Sequence, residues 1–200
     1  MGLTQRVVVH DAERRDCLDQ AWAAALEAEG HVPVPLPNAC RDADALLDAL
    51  GIEAMVLTGG NDPLGAPAPT DPAEERDRFE RRALEWARKR TVPVLGVCRG
   101  MQMLALTQGG TLHPVAGHVA SIHGLRDAAP GLPAEVNSFH RFSVQRPGAG
   151  QEVLARSPDG LVEALRATDR PAAGVMWHPE RPPFSSPPGP LALLERLLSA

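Results

Sequence analysis

Two hundred residues, 44% of them hydrophobic, suffice for one domain that buries roughly 70% of the surface its unfolded chain exposes. A formal charge of −5 with acidic and basic residues interspersed excludes a broad cationic face for nucleic acid or anionic lipid, and points to a small-molecule partner. The three cysteines, Cys17, Cys40 and Cys98, are widely spaced and form no C-x-x-C pair, so neither a disulfide framework nor a zinc–thiolate cluster is expected; with no membrane-spanning apolar stretch, the expected location is the cytoplasm.

Apolar runs alternate with helical patterns from the start of the chain. Arg6–His10 reads as a strand, Asp16–Glu29 as a helix, Val32–Pro35 as a short strand, Asp42–Leu50 as a helix and Ala54–Leu57 as a strand, a rhythm that predicts a parallel sheet. Asp71-Pro72-Ala73-Glu74 reads as a helix start with proline at the first helical position, and that helix is expected to run to about Arg90. The strand Val92–Val97 follows, then a helix over Arg99–Thr107 closed by Gly109-Gly110. Beyond it, Val136–Val144, Glu152–Arg156, Val162–Leu165 and Ala172–Trp177 are short strands separated by Gly, Pro and Asp, the pattern of an antiparallel extension. A proline-rich stretch over Pro182–Pro190 leads into a last helix, Leu191–Leu198. No repeat or composition shift marks a second domain, so residues 1–200 are read as one.

Chemistry concentrates at three strand ends. Gly96-Val97-Cys98-Arg99-Gly100 places a cysteine at the bend between strand and helix, with a glycine two residues away on either side. Such a turn displays a nucleophile in a strained conformation, and the helix's first amides favour thiolate over thiol. Thr58-Gly59-Gly60-Asn61-Asp62 follows another strand, where backbone without side chains can approach a ligand closely; the Gly60 and Arg99 amides are candidate donors to an oxyanion. After the strand that ends at Trp177, His178-Pro179-Glu180 sets an imidazole and a carboxylate one residue apart. In extended geometry Glu180 can then orient His178 towards Cys98. Taken alone, a His-Pro-Glu tripeptide is more often a surface turn, and a glycine pair more often a chain reversal. His113, His118 and His123 recur every five residues, a spacing that fits neither one helix face nor a zinc pattern, so no metal is expected there. No Walker-type loop or G-x-G-x-x-G follows a strand, and no cofactor is expected.

The three segments in this order resemble the class I glutamine amidotransferase superfamily, and in particular its γ-glutamyl hydrolase branch, peptidase family C26. Leu57-Thr58-Gly59-Gly60-Asn61-Asp62, Gly96–Leu104, Gly109–Leu112, Val136–His140, Ser157–Ala164 and Gly174–Glu180 carry the likeness over nearly the whole chain. The resemblance implies a flavodoxin-like α/β fold with a central, mostly parallel sheet flanked by helices. It also implies a Cys98–His178–Glu180 triad that attacks a γ-glutamyl amide and forms a glutamyl thioester, which water hydrolyses. In the family's pattern Gly59, Gln102 and the Asn137-Ser138-Phe139-His140 segment hold the glutamyl group. α/β-Hydrolases share the elbow but order nucleophile, acid, histidine, whereas here His178 precedes Glu180.

Three further stretches, Glu75–Glu80, Gly117–His123 and Met176–Arg181, are similar to small hydrolases of γ-glutamyl-CDP-amidate. That narrower likeness implies a nucleotide phosphoramidate leaving group, contacted by Arg99, His118, His123 and Arg141. The expected partner is a small γ-glutamyl substrate, with a homodimer or a separate synthase also open; the alternative function is a glutaminase subunit delivering ammonia to such a synthase.

Overall fold

The computed structural model describes residues 1–181 and 189–199. In chain order its elements are β1 (Gly2–Leu3), β2 (Arg6–His10), β3 (Glu13–Cys17), α1 (Gln20–Ala28), β4 (Val34–Pro35), α2 (Ala43–Ala49), β5 (Met55–Leu57), α3 (Glu74–Arg90), β6 (Val94–Val97), α4 (Arg99–Thr107), β7 (Thr111–Pro114), β8 (Val119–Gly124), β9 (Glu135–Phe139), β10 (Phe142–Arg146), β11 (Gln151–Arg156), β12 (Val162–Ala167), β13 (Ala172–Val175) and α5 (Pro190–Ser199). The seven-stranded sheet runs β11-β12-β13-β6-β5-β1-β4. β13, β6, β5, β1 and β4 are mutually parallel, and β12 and β11 extend that sheet antiparallel. Both the parallel core and the antiparallel extension expected from the sequence are present.

Every residue of β5, β6 and β13 is buried, as strands covered on both faces require. Alternation then divides them between two cores. Val56, Leu95, Val97, Ala173 and Val175 pack with Trp22 and Leu26 of α1 and Leu193, Leu194 and Leu197 of α5. Met55, Leu57 and Val94 face Leu47, Phe79, Ala83, Trp86 and Leu104 from α2, α3 and α4. The carboxyl ends of β5, β6 and β13 therefore emerge side by side, where an open parallel sheet assembles its site.

Four expectations need correction. Arg6–His10 is a strand outside the main sheet: it pairs with β3 as a separate hairpin, and β1 takes the first place in the sheet. The hairpin turns through Asp11 and Ala12, both at positive φ (49° and 64°), a conformation that does not require glycine here. Because β3 occupies residues up to Cys17, α1 begins only at Gln20, with the Asp19 carboxylate accepting from the Ala21 amide at 3.0 Å. α3 begins at Glu74, beyond the expected proline: Asp71 and Pro72 are drawn into the loop by Asp62, whose carboxylate accepts from the Thr70 and Asp71 amides at 2.8 and 3.0 Å. Finally, the single strand expected over residues 136–144 is two, broken at His140-Arg141; β9 pairs with β8 and β10 with β7. Most of the proline-rich stretch, residues 182–188, lies outside the described residues.

Candidate active site

β6 delivers Cys98 into a backbone conformation of φ 53°, ψ −106°, outside the regions open to ordinary residues. The turn is tight enough to dictate both flanking glycines. A Cβ at Gly96 would sit 2.6 Å from the Gly100 backbone, and one at Gly100 would collide with the Leu57 carbonyl of β5. The Cys98 amide donates to the Val175 carbonyl at 2.8 Å, which joins the elbow to β13. Cys98 is 7% exposed.

Three residues beyond β13, His178 meets that thiol. Its Nδ1 lies 2.7 Å from Glu180 Oε1, and the ring is hydrogen-bonded to Cys98. Burial alone pushes the imidazole down, but the hydrogen bonds and charges of Cys98 and Glu180 outweigh it and raise its pKa to about 9. The ring is therefore protonated at neutral pH, the form that pairs with a thiolate and can pass a proton to a departing amine. The backbone of His178 is fixed as well: the Asn137 Nδ2 donates to its carbonyl at 2.9 Å, and its amide donates to Asn137 Oδ1 at 2.7 Å. Gly59 fills the gap between the Cys98 and His178 side chains. A Cβ there would stand 2.7 Å from His178 Cε1 and 3.6 Å from Cys98 Cβ.

A buried arginine anchors the Gly59-Gly60 loop from behind. Arg76 of α3 donates to the carbonyls of Thr58, Gly59 and Gly60 at 2.6, 3.0 and 2.7 Å. Because a trans peptide points its N–H opposite its C=O, the bond to the Gly59 carbonyl turns the Gly60 N–H away from α3. Arg76 also pairs with Glu80 at 2.8 Å, and Arg99 of α4 pairs with both Glu80 and Asp77. All four side chains are buried, two cations against two anions. Burial, with Arg99 close by, lowers Arg76 to about 10, and the two arginines hold Glu80 below the usual carboxylate range although burial alone would raise it. One ionic network thus ties the glycine loop to the residue that follows the candidate nucleophile.

Several sequence expectations change in consequence. The Arg99 side chain is locked in that network and faces no ligand; only its backbone amide, in the first turn of α4, remains a candidate donor. The Asn137 side chain is engaged with the His178 backbone, and the Ser138 hydroxyl donates to the His118 carbonyl at 2.9 Å. Gln102 and His140 line the site, the Gln102 Nε2 and the His140 Nδ1 both directed at the Phe142 carbonyl, while Phe139 packs its ring edge-on to His178. His118 and His123 lie together near Glu163. Two cavities adjoin at Arg6 and Gly60. One, of about 180 Å³, holds Cys98, Arg99, Gln102, His140, Arg141 and Asp62; the other, of about 350 Å³, opens beside His178 and Glu180 and is walled by Arg6, Trp22 and Arg181. The cations at the second cavity therefore come from the hairpin and the segment after Glu180. Sequence reasoning gave neither a role. Nor did it assign one to Arg76 and Glu80, whose i, i+4 spacing was the available signal.

A Peptidase C26 model matches residues 2–131 and 118–180. The chain belongs to the Peptidase C26 family. As a member of that family it is an enzyme of the hydrolase class. It is 29% identical over 186 residues to a γ-glutamyl-CDP-amidate hydrolase of Campylobacter jejuni, covering 90% of each chain. To a γ-glutamyl-γ-aminobutyrate hydrolase of Escherichia coli it is 29% identical, covering 82% of this chain and 78% of that one. In fold it is similar to a glutamine amidotransferase of Thermotoga maritima, with a TM-score of 0.65 at 18% identity over 90% of this chain and 75% of the other. That likeness places the C26 chain in the glutamine amidotransferase fold expected from the sequence. Among its described residues no helix is long and apolar enough to cross a membrane.

Proposed function

We propose that the protein hydrolyses γ-glutamyl amides through a Cys98 thioester. Cys98 Sγ attacks the γ-carbonyl carbon, the Gly60 and Arg99 amides receive the oxyanion, and the C–N bond breaks as His178 gives its proton to the leaving nitrogen. Water, deprotonated by the now neutral His178, then cleaves the thioester and releases glutamate. Glu180 keeps the ring oriented and stabilises its protonated form throughout. The observation that carries this reading is the contact of Cys98 with a His178 held on the other side by Glu180, with a residue lacking a side chain between loop and ring.

The smaller cavity takes the glutamyl group. Arg141 and Asp62, 3.6 Å apart at its mouth, offer one charge of each sign to an α-carboxylate and an α-ammonium, and Gln102 and His140 line its floor. The larger cavity takes the leaving group, and with Arg6 and Arg181 in its wall it favours an anionic one such as a nucleotide amidate. Similarity over 90% of a γ-glutamyl-CDP-amidate hydrolase supports the same choice.

The test is to incubate the purified chain with glutamine, a neutral γ-glutamyl amide and γ-glutamyl-CDP-amidate, and to follow glutamate release. The expected order of kcat/KM is amidate, then neutral amide, then glutamine, with no turnover by Cys98→Ala. Activity on glutamine alone, raised by a synthase partner, would replace this reading with that of a glutaminase subunit.

A further inference from the structure

Around Glu163 the fold gathers a second set of chemically capable side chains. Glu163 of β12 is fully buried, yet neither of its carboxylate oxygens has a hydrogen-bond partner among the described residues. Burying a carboxylate without such a partner is costly, and charges retained in protein interiors are paired or coordinate metals. Three imidazoles surround it. His123 Nε2 and His140 Nε2 each lie 3.6 Å from Glu163 Oε1, and both nitrogens are themselves buried without a hydrogen-bond partner. His118 stacks against both rings, with centroids 5.1 Å from His123 and 4.8 Å from His140.

The tautomers are fixed by what the opposite ring nitrogens do. His123 Nδ1 is 3.0 Å from the Gly124 carbonyl and His140 Nδ1 is 3.1 Å from the Phe142 carbonyl. A carbonyl can only accept, so each Nδ1 donates to its carbonyl and it is the Nε2 of each ring that faces Glu163. At 3.6 Å neither Nε2 makes a hydrogen bond to the carboxylate, and a cation held between the three groups would satisfy them together. His118 shows the outer support that metal-bound imidazoles commonly have. Its Nε2 lies 3.0 Å from the Asp159 carboxylate, and its Nδ1 lies 3.2 Å from the Ser138 hydroxyl oxygen, whose own proton goes to the His118 carbonyl.

We infer that His118, His123 and Glu163 form a binding site for a divalent transition metal, best matched by Zn²⁺, with His140 beside it. One ligand atom from each of His118, His123 and Glu163 lies within 4.8 Å of the others. The two 3.6 Å separations approach the roughly 3.3 Å edge of a tetrahedron with bonds of about 2.0–2.1 Å. Two imidazoles and one carboxylate are ligand types that Zn²⁺ takes, and a structural site closes such a set with a fourth. Its place in the fold fits that role. The ion would pin β8 and the end of β9 to β12, and Asn137 of β9 clamps His178.

The test uses the full chain carrying Cys98→Ala, so that Cys98 cannot supply the ligand. After chelator treatment the protein is titrated with Zn²⁺ and, separately, with Co²⁺. The expected result is one equivalent bound, a Co²⁺ spectrum of tetrahedral type without a thiolate charge-transfer band, and a melting temperature about 5 °C or more higher at a hundredfold excess over Kd. Adding Glu163→Gln should remove the shift and weaken binding at least about tenfold. Should that variant fail to fold, His123→Gln at the partly exposed edge of the site must show the same loss. Failure of Cys98→Ala to bind either ion, or unchanged binding after loss of Glu163 or His123, would overturn the site. So would His123 and His140 resonances showing two imidazolium rings paired with Glu163 in metal-free protein with Zn²⁺ unable to displace their protons. None of these outcomes depends on the substrate, so the inference can fail while the hydrolase reading stands.

Discussion

Replacing Gly59 by alanine tests the geometry of the candidate triad without touching any of its members. Gly59 does not lie at positive φ, so alanine can take its backbone conformation and the effect is purely one of space. The added methyl would stand 2.7 Å from His178 Cε1, and restoring an ordinary contact of about 3.4 Å requires a displacement of about 0.7 Å. Neither side yields easily: Asn137 and Glu180 hold His178, and Arg76 holds the Gly59 carbonyl. Overpacking of this kind costs about 1–3 kcal/mol, and a displacement near 1 Å at reacting groups costs about 10²-fold in rate. The expected outcome is a folded protein that melts a few degrees lower and hydrolyses a γ-glutamyl amide about a hundredfold more slowly. Most of the loss should fall in kcat, because Gly59 does not line the smaller cavity proposed for the glutamyl group. Alkylation of Cys98 by iodoacetamide should slow in parallel, since the imidazolium no longer meets the sulfur. A Gly59→Ala enzyme within about threefold of wild type would refute the placement of that loop against a His178 ring that acts in catalysis.

Glu180→Gln should lower kcat by about 10² or more while leaving KM within a few fold, because the ring loses its orienting charge and not its substrate; an unchanged kcat would remove Glu180 from the mechanism. His178 should titrate by NMR near pH 9, falling towards its ordinary value in Cys98→Ala. Since the folded value lies above the unfolded value of about 6.5, its contribution, up to about 3 kcal/mol, is fully present below pH 6.5 and lost as pH rises through 9. A titration midpoint near 6.5 in the native protein would contradict this. Arg76→Met strands Glu80 beside a single arginine and releases three loop carbonyls, so denaturant melts should show a loss of about 3–5 kcal/mol, with kcat depressed under folding conditions. A loss below about 1 kcal/mol would mean that the network contributes little to holding the loop.

What the sequence disclosed follows from how local each cause is. β5, β6 and β13 are short apolar runs ended by glycine, cysteine or histidine, and buried strands of that kind can be read residue by residue. The elbow was legible for the same reason: Gly96 and Gly100 answer contacts made within a few residues of Cys98 and with the adjacent strand. The hairpin of β2 and β3 was not, because its turn uses Asp11-Ala12 where a glycine would have announced it. α3 misled in its first turn because Asp71-Pro72 imitates a helix start while a carboxylate outside the helix, Asp62, claims the Thr70 and Asp71 amides.

The harder misses concern charge. A sequence shows that Arg99 follows the nucleophile and that histidines recur near a strand; it does not show which partner each will meet. Arg99 meets Glu80 and Asp77, 19 and 22 residues back along the chain, and so becomes part of the scaffold, while the cations at the larger cavity are Arg6 and Arg181. The five-residue spacing of His113, His118 and His123 showed neither a helix face nor a zinc pattern, and it could not show which carboxylate they would meet. Glu163 supplies one from β12, forty residues after His123, and β9 carries His140 into the same space from its own end. Both cases rest on one physical fact: the cost of burying a charge is met by whichever opposite group the topology brings within about 4 Å, and sheet order rather than sequence distance sets that choice. In this fold β9 touches both sites: it offers Asn137 to His178 and leads into His140 beside Glu163, so the rigidity of the candidate active site passes through a strand that the proposed metal would hold.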